Sequence, residues 1–119
     1  MELLKELRLK VFGYTDEEIL KAMSGLEVDE NAMREYKMCI NKNRHLDRRT
    51  LEIKLRRNVL ISKDIKVDKL GNEKIVHYGN LTIVLLGNRI TKVMNSYGEQ
   101  RKFKVDKRLK ERINKLYWI

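Results

Sequence analysis

Residues 43–57 read "NRHLDRRTLEIKLRR", a stretch with six basic side chains, two acids and one of the chain's two histidines. Between Leu51 and Leu55 the apolar residues alternate strictly, with Leu51, Ile53 and Leu55 separated by Glu52 and Lys54. Successive side chains of a strand point to opposite faces, so this pattern predicts a strand over 51–55. Its apolar edge would anchor to a core, and Arg48, Lys54 and Arg56 would point the other way. On that reading the sheet begins here, and everything before it is helical.

Upstream, Leu4, Leu7 and Val11 fall at helical spacing and Gly13 is a stop. Thr15-Asp-Glu-Glu18 has the form of a capping box, opening a second helix through Ile19, Leu20 and Met23. Asp29 caps a third, whose stripe is Ala32, Met33, Tyr36, Cys39 and Ile40. Cys39 on that stripe reads as a packing residue.

Downstream, Gly-Asn recurs at 71–72, 79–80 and 87–88, and both residues tolerate the positive φ of tight turns. Between these pairs lie "EKIVHY" and "LTIVLL", followed by "RITKVM"; "VLISKDIKV" at 59–67 reads as extended too. The run predicts an antiparallel meander of four to five strands. Val105, Leu109, Ile113 and Leu116 then define a closing helix with a basic surround. The expected class is α+β, with N-terminal helices, the meander and a C-terminal basic helix in one domain over 1–119.

Charge carries the functional signal. Across 119 residues, 27 Lys/Arg oppose 17 Asp/Glu for a net +10, and the excess is one-sided. Residues 1–40 hold six basic and nine acidic side chains, whereas residues 41–119 hold twenty-one and eight. Such a split points to a polyanion partner, with the acidic helical part left to dock a protein. The longest nearly apolar run, Leu81 to Leu86, falls far short of the ~20 residues that cross a bilayer, so no membrane partner is expected. The lone cysteine and the absence of a signal-peptide pattern point to the cytoplasm. One cysteine and two distant histidines give no zinc spacing, there is no Gly-rich phosphate loop, and neither metal nor cofactor is expected.

Two basic clusters remain. The first is Lys42, Arg44, Arg48, Arg49, Lys54, Arg56 and Arg57; the second comprises Arg101, Lys102, Lys104, Lys107, Arg108, Lys110, Arg112 and Lys115. Arginine forks match phosphate geometry, so both clusters are candidate nucleic-acid contacts. RNA is favoured over DNA, and Tyr78 and Tyr97 could stack on exposed bases. His45 is a candidate proton-transfer group, with Arg48, Arg49 and Arg56 near it to neutralise a scissile phosphate. His77 reads as a packed strand residue. A second function class is a non-catalytic phage or mobile-element inhibitor that occupies a host nucleoprotein or defence complex.

Residues 81–116, "LTIVLLGNRITKVMNSYGEQRKFKVDKRLKERINKL", resemble the last hairpin, basic loop and closing helix of RelE-type toxins. Those belong to the barnase–EndoU–colicin–RelE superfamily of small ribonucleases that cut RNA without metal. The resemblance implies a toxin-type endoribonuclease in which Arg101 and Lys102, after Gly98, stand for the family's basic residues. In some phage-borne branches of the superfamily a histidine near a helix end precedes spaced arginines, as His45, Arg48, Arg49 and Arg56 do here. The chain departs in beginning with a helix, and in placing Tyr97 before the basic loop where the toxins place a tyrosine beyond it.

Overall fold

A computed structural model describes residues 15–62, 64–67, 73–95 and 106–119. The helix expected over Leu4–Val11 lies outside them. In chain order the elements are α1 (Asp16–Ser24), β1 (Glu27–Val28), α2 (Glu30–Cys39), a 3-10 turn (Asn41–His45) and α3 (Arg48–Leu60). They continue as β2 (Asp64–Val67), β3 (Glu73–Tyr78), β4 (Leu81–Leu86), β5 (Arg89–Asn95) and α4 (Lys107–Tyr117). This is an α+β architecture with helices first, a meander next and a basic helix last.

The helix starts follow local chemistry. Thr15 accepts from the Glu18 N–H at 3.2 Å while Glu18 accepts from the Thr15 N–H at 3.2 Å, which closes the capping box of α1. Asp29 stands at the N-cap of α2 without a side-chain cap, because its carboxylate pairs with Arg89. Asp47 caps α3 by accepting from the Thr50 N–H at 2.7 Å, and Asp106 caps α4 through Leu109 at 3.1 Å.

The strand expected over 51–55 is the central helix of the molecule. Residues two apart on a helix lie about 200° apart around its axis, on nearly opposite sides. A helix buried on two sides therefore reproduces strict alternation. Leu51, Leu55, Asn58 and Val59 fill one side of α3; Ile53, Arg57, Leu60 and Ile61 fill the other, and all are buried. The helix earns this burial by touching α1, α2, α4, β1 and β3. It also splits the residues expected to share a solvent face. Arg48, Arg49, Glu52 and Arg56 occupy one open window, and Lys54 occupies the other.

β2 through β5 form the expected antiparallel meander, and β1 adds to the far edge in parallel, giving the order β1-β5-β4-β3-β2. The hairpin loops are Gly79-Asn80 and Gly87-Asn88, with Tyr78 paired to Leu81 and Leu86 to Arg89. Glycine takes positive φ at the first loop position of each, +55° and +63°, while neither asparagine does; that is type II′ logic. Thr91 bulges out of β5 where the register shifts opposite Val84 and Leu85, and its hydroxyl donates to the Val84 carbonyl at 3.2 Å.

Beyond its two paired residues, β5 is covered by α2. The Val93 N–H donates to Glu35 at 3.2 Å, and the Cys39 thiol sits 4.0 Å from the Val93 carbonyl. The core joins Ile19, Met23 and Ala32 to Leu55, Val59, Leu60, Ile83, Leu85, Ile90 and Ile113, so every layer contributes. His77 is buried, with its Nδ1 3.4 Å from the Thr82 hydroxyl. Among the described residues no helix is long and apolar enough to cross a membrane.

Candidate anion-binding site

The side of α3 that carries Lys54 and Arg57 faces α4. Lys54 and Arg57 are one helical turn apart, as are Lys110 and Asn114 on the partner helix, so each pair shares a helix face. Arg57 crosses the gap. It is 4% exposed, and its Nη1 donates to Asn114 Oδ1 at 2.7 Å. Its Nε and Nη2 donate to Asn58 Oδ1 at 3.2 and 2.8 Å. Asn58, wholly buried, in turn donates to the Tyr36 hydroxyl at 3.1 Å. The 3-10 turn closes the group from below, where Asn43 donates to the Tyr36 carbonyl at 3.4 Å and stands next to Lys42. Lys110 completes it, with its ammonium 5.8 Å from the centre of the Tyr78 ring.

The electrostatics are one-sided. Burial holds Lys54 below the usual lysine range, and the like charges of Arg57, Lys110 and Lys42 lower it further. Burial raises the Tyr36 phenol despite hydrogen bonds from Asn43 and Asn58 and the nearby Arg57 charge, so it stays neutral at physiological pH. Among the described residues none of Lys42, Lys54, Arg57 and Lys110 forms an ion pair. Asn58 and Asn114 orient the guanidinium without neutralising it.

The residues expected to do chemistry lie elsewhere. His45 is exposed at the end of the 3-10 turn. Arg48 pairs with Glu30 and, at 3.5 Å, with Glu52, while Arg56 lies 3.9 Å from the same Glu52. Arg49 and Arg56 sit near Tyr117, whose phenol is raised by burial and lowered by both charges. Arg44, Lys107 and Arg108 are exposed, and Arg112 grips Asp16 at 2.7 Å. Arg101, Lys102, Lys104 and Tyr97 lie outside the described residues. Arg57, expected as a nucleic-acid contact, is buried because its position on α3 turns it into the helix seam. Among the described residues no group of three or more His, Cys, Asp or Glu is placed to hold a metal ion.

Lys42, Lys54, Arg57 and Lys110, drawn from both basic clusters, thus come together around one seam. Tyr36, Asn43, Asn58 and Asn114 complete it and were not legible as site residues: Tyr36 reads as core stripe and the amides as ordinary polar positions. Arg57-Asn58 set inside the run Leu55–Ile61 was the available signal, since polar residues inside a buried helical run need one another or a ligand.

No curated protein and no solved structure matches the chain. A protein-family model, YorE, matches residues 26–116, which run from β1 to all but the last residue of α4 and include the whole seam. With most of its length matched, the chain belongs to the YorE family, a phage-type family.

Proposed function

We propose that this phage-associated protein binds single-stranded nucleic acid, RNA in preference to DNA, without cleaving it. The supporting observation is the convergence of Lys42, Lys54, Arg57 and Lys110 on one seam with no acid paired to any of them among the described residues. Arg48, Arg56, Arg89 and Arg112 each have a carboxylate within ion-pair distance, whereas these four converging cations have none among the described residues. A cluster left uncompensated suits phosphate, and Tyr78 beside Lys110 adds an aromatic face of the kind on which bases stack. Binding without chemistry is supported by Glu30 and Glu52, which partly offset the charge of Arg48 and Arg56 where a scissile phosphate would need it. A phage-type family is compatible with use of this face against nucleic acid held in a host nucleoprotein.

The test titrates labelled single-stranded RNA and DNA of one sequence in EDTA, with electrophoresis of the RNA afterwards. Intact RNA and binding that weakens steeply with salt are expected, and Lys42→Gln, Lys54→Gln and Lys110→Gln each weaken it by roughly threefold to tenfold. Binding unchanged in all three variants would overturn this reading. Cleavage in EDTA that His45→Ala abolishes would restore the ribonuclease expectation.

A further inference from the structure

Arg57 differs in kind from the lysines around it. A surface lysine keeps its water, but a guanidinium that is 4% exposed has given most of its water up. Burying an unpaired charge is costly, and structures answer that cost with a counter-charge or a ligand. No counter-charge meets Arg57 among the described residues. Its partners are the neutral oxygens of Asn58 and Asn114, and the nearby Tyr36 is held in its neutral form. By contrast, Arg48, Arg89 and Arg112, all more solvated than Arg57, each have a carboxylate. Acids stand where they contribute least and are missing where one would contribute most.

The amides also orient the fork. Nε, Nη1 and Nη2 each give a bond to an amide oxygen, and because each terminal nitrogen carries a second N–H, donors remain on the guanidinium. Asn58 is itself fixed by Tyr36, so the fork is braced from behind. Half-buried Asn114 bonds Arg57 directly, and half-buried Lys54 feels the charges of both Arg57 and Lys110.

We infer that Arg57 is the floor of a receptor for a terminal phosphate, the phosphomonoester at one end of a nucleic-acid strand, with Lys54 and Lys110 as its walls. This inference rests on the nucleic-acid reading above and sharpens it. A phosphodiester within a strand carries one negative charge and has a sugar on either side, which suits exposed lysines but keeps it from a recessed guanidinium. A terminal phosphate has one ester link, projects from the strand, and approaches two negative charges above its second pKa of about 6. Its oxygens match the remaining donors of an arginine fork. The surplus of positive charge at the seam matches its higher charge.

The experiment measures binding of the full chain to a short RNA of one sequence in four forms, with phosphate or hydroxyl at the 5′ end and with phosphate or hydroxyl at the 3′ end. One phosphorylated end is expected to bind at least about tenfold more tightly than its hydroxyl counterpart. That advantage should shrink as pH falls from about 7.5 to about 5.5 and the phosphate takes up a proton. Arg57→Lys keeps the charge but loses the fork, and should erase the advantage while leaving weaker binding of the hydroxyl forms. Lys54→Gln and Lys110→Gln should reduce the advantage without disturbing the fold, so they decide the matter if Arg57→Lys fails to fold. Equal binding with and without either terminal phosphate overturns the receptor and leaves general nucleic-acid binding intact. An advantage untouched by both lysine variants also overturns it, and absence of binding to every form overturns both readings.

Discussion

Lys54 shows at the scale of one residue how stability and ligand binding pull apart. Its ammonium is partly desolvated and crowded by Arg57, Lys110 and Lys42, so the folded protein resists its charge. Lys54→Gln is expected to raise stability, by less than about 1 kcal/mol for a group this solvent-screened, while weakening RNA binding. The sign with pH follows from the lowered folded value. The penalty is complete below that value and disappears as pH rises toward the ordinary lysine range near 10.5, so the Tm gap between variant and parent should close as pH rises. Asp47 behaves oppositely. Thr50, through its side chain and its backbone N–H, holds the carboxyl below the ordinary carboxylate range. Asp47→Ala should lower Tm at neutral pH, Asp47→Asn should lower it less, and thermal melts should show the difference vanishing as pH falls through the carboxylate range.

At the scale of the element, α3 explains both what was legible and what was not. The motif of Leu51, Ile53 and Leu55 is true alternation, and burial on two sides of a helix generates it as readily as the one-sided burial of a strand. Length separates the two cases: thirteen residues from Arg48 to Leu60 exceed an ordinary strand, and Asp47 before them is a cap signal. A strand with one solvent face would tolerate polar substitutions at alternate positions through its far end. The helix does not, since Arg57 to Leu60 are buried without interruption. Leu55→Ala and Leu60→Ala, at 0% and 1% exposure on opposite sides of α3, should each cost about 2–5 kcal/mol in denaturant unfolding. A small cost at either position would mean that side is not packed. The same misreading hid the site, because only the helical turn sets Lys54 with Arg57 and apart from Arg56.

For the whole molecule, the sheet was the most legible part, because glycine before asparagine marks turns chemically rather than through packing. The pairs at 79–80 and 87–88 stand at the two hairpins as expected. The two-residue β1 was not legible, since nothing in Glu27-Val28 distinguishes a parallel edge strand from a loop. The convergence of distant basic segments was equally hidden, depending on how α3 and α4 pack. If about four phosphates of a single strand are engaged at the seam, log K should fall with log salt at a slope near −3. A slope near zero would place binding outside the basic seam. The cover over β5 has a consequence of another sort. A strand edge with free N–H and carbonyl groups invites pairing with a second chain, and here β1 closes its start while Glu35 and Cys39 occupy the two backbone groups of Val93. Glu35→Ala therefore removes more than a hydrogen bond: it reopens a docking edge. Light scattering on concentrated protein should show that variant self-associating where the parent stays dispersed, which makes one helix carboxylate a guard against aggregation.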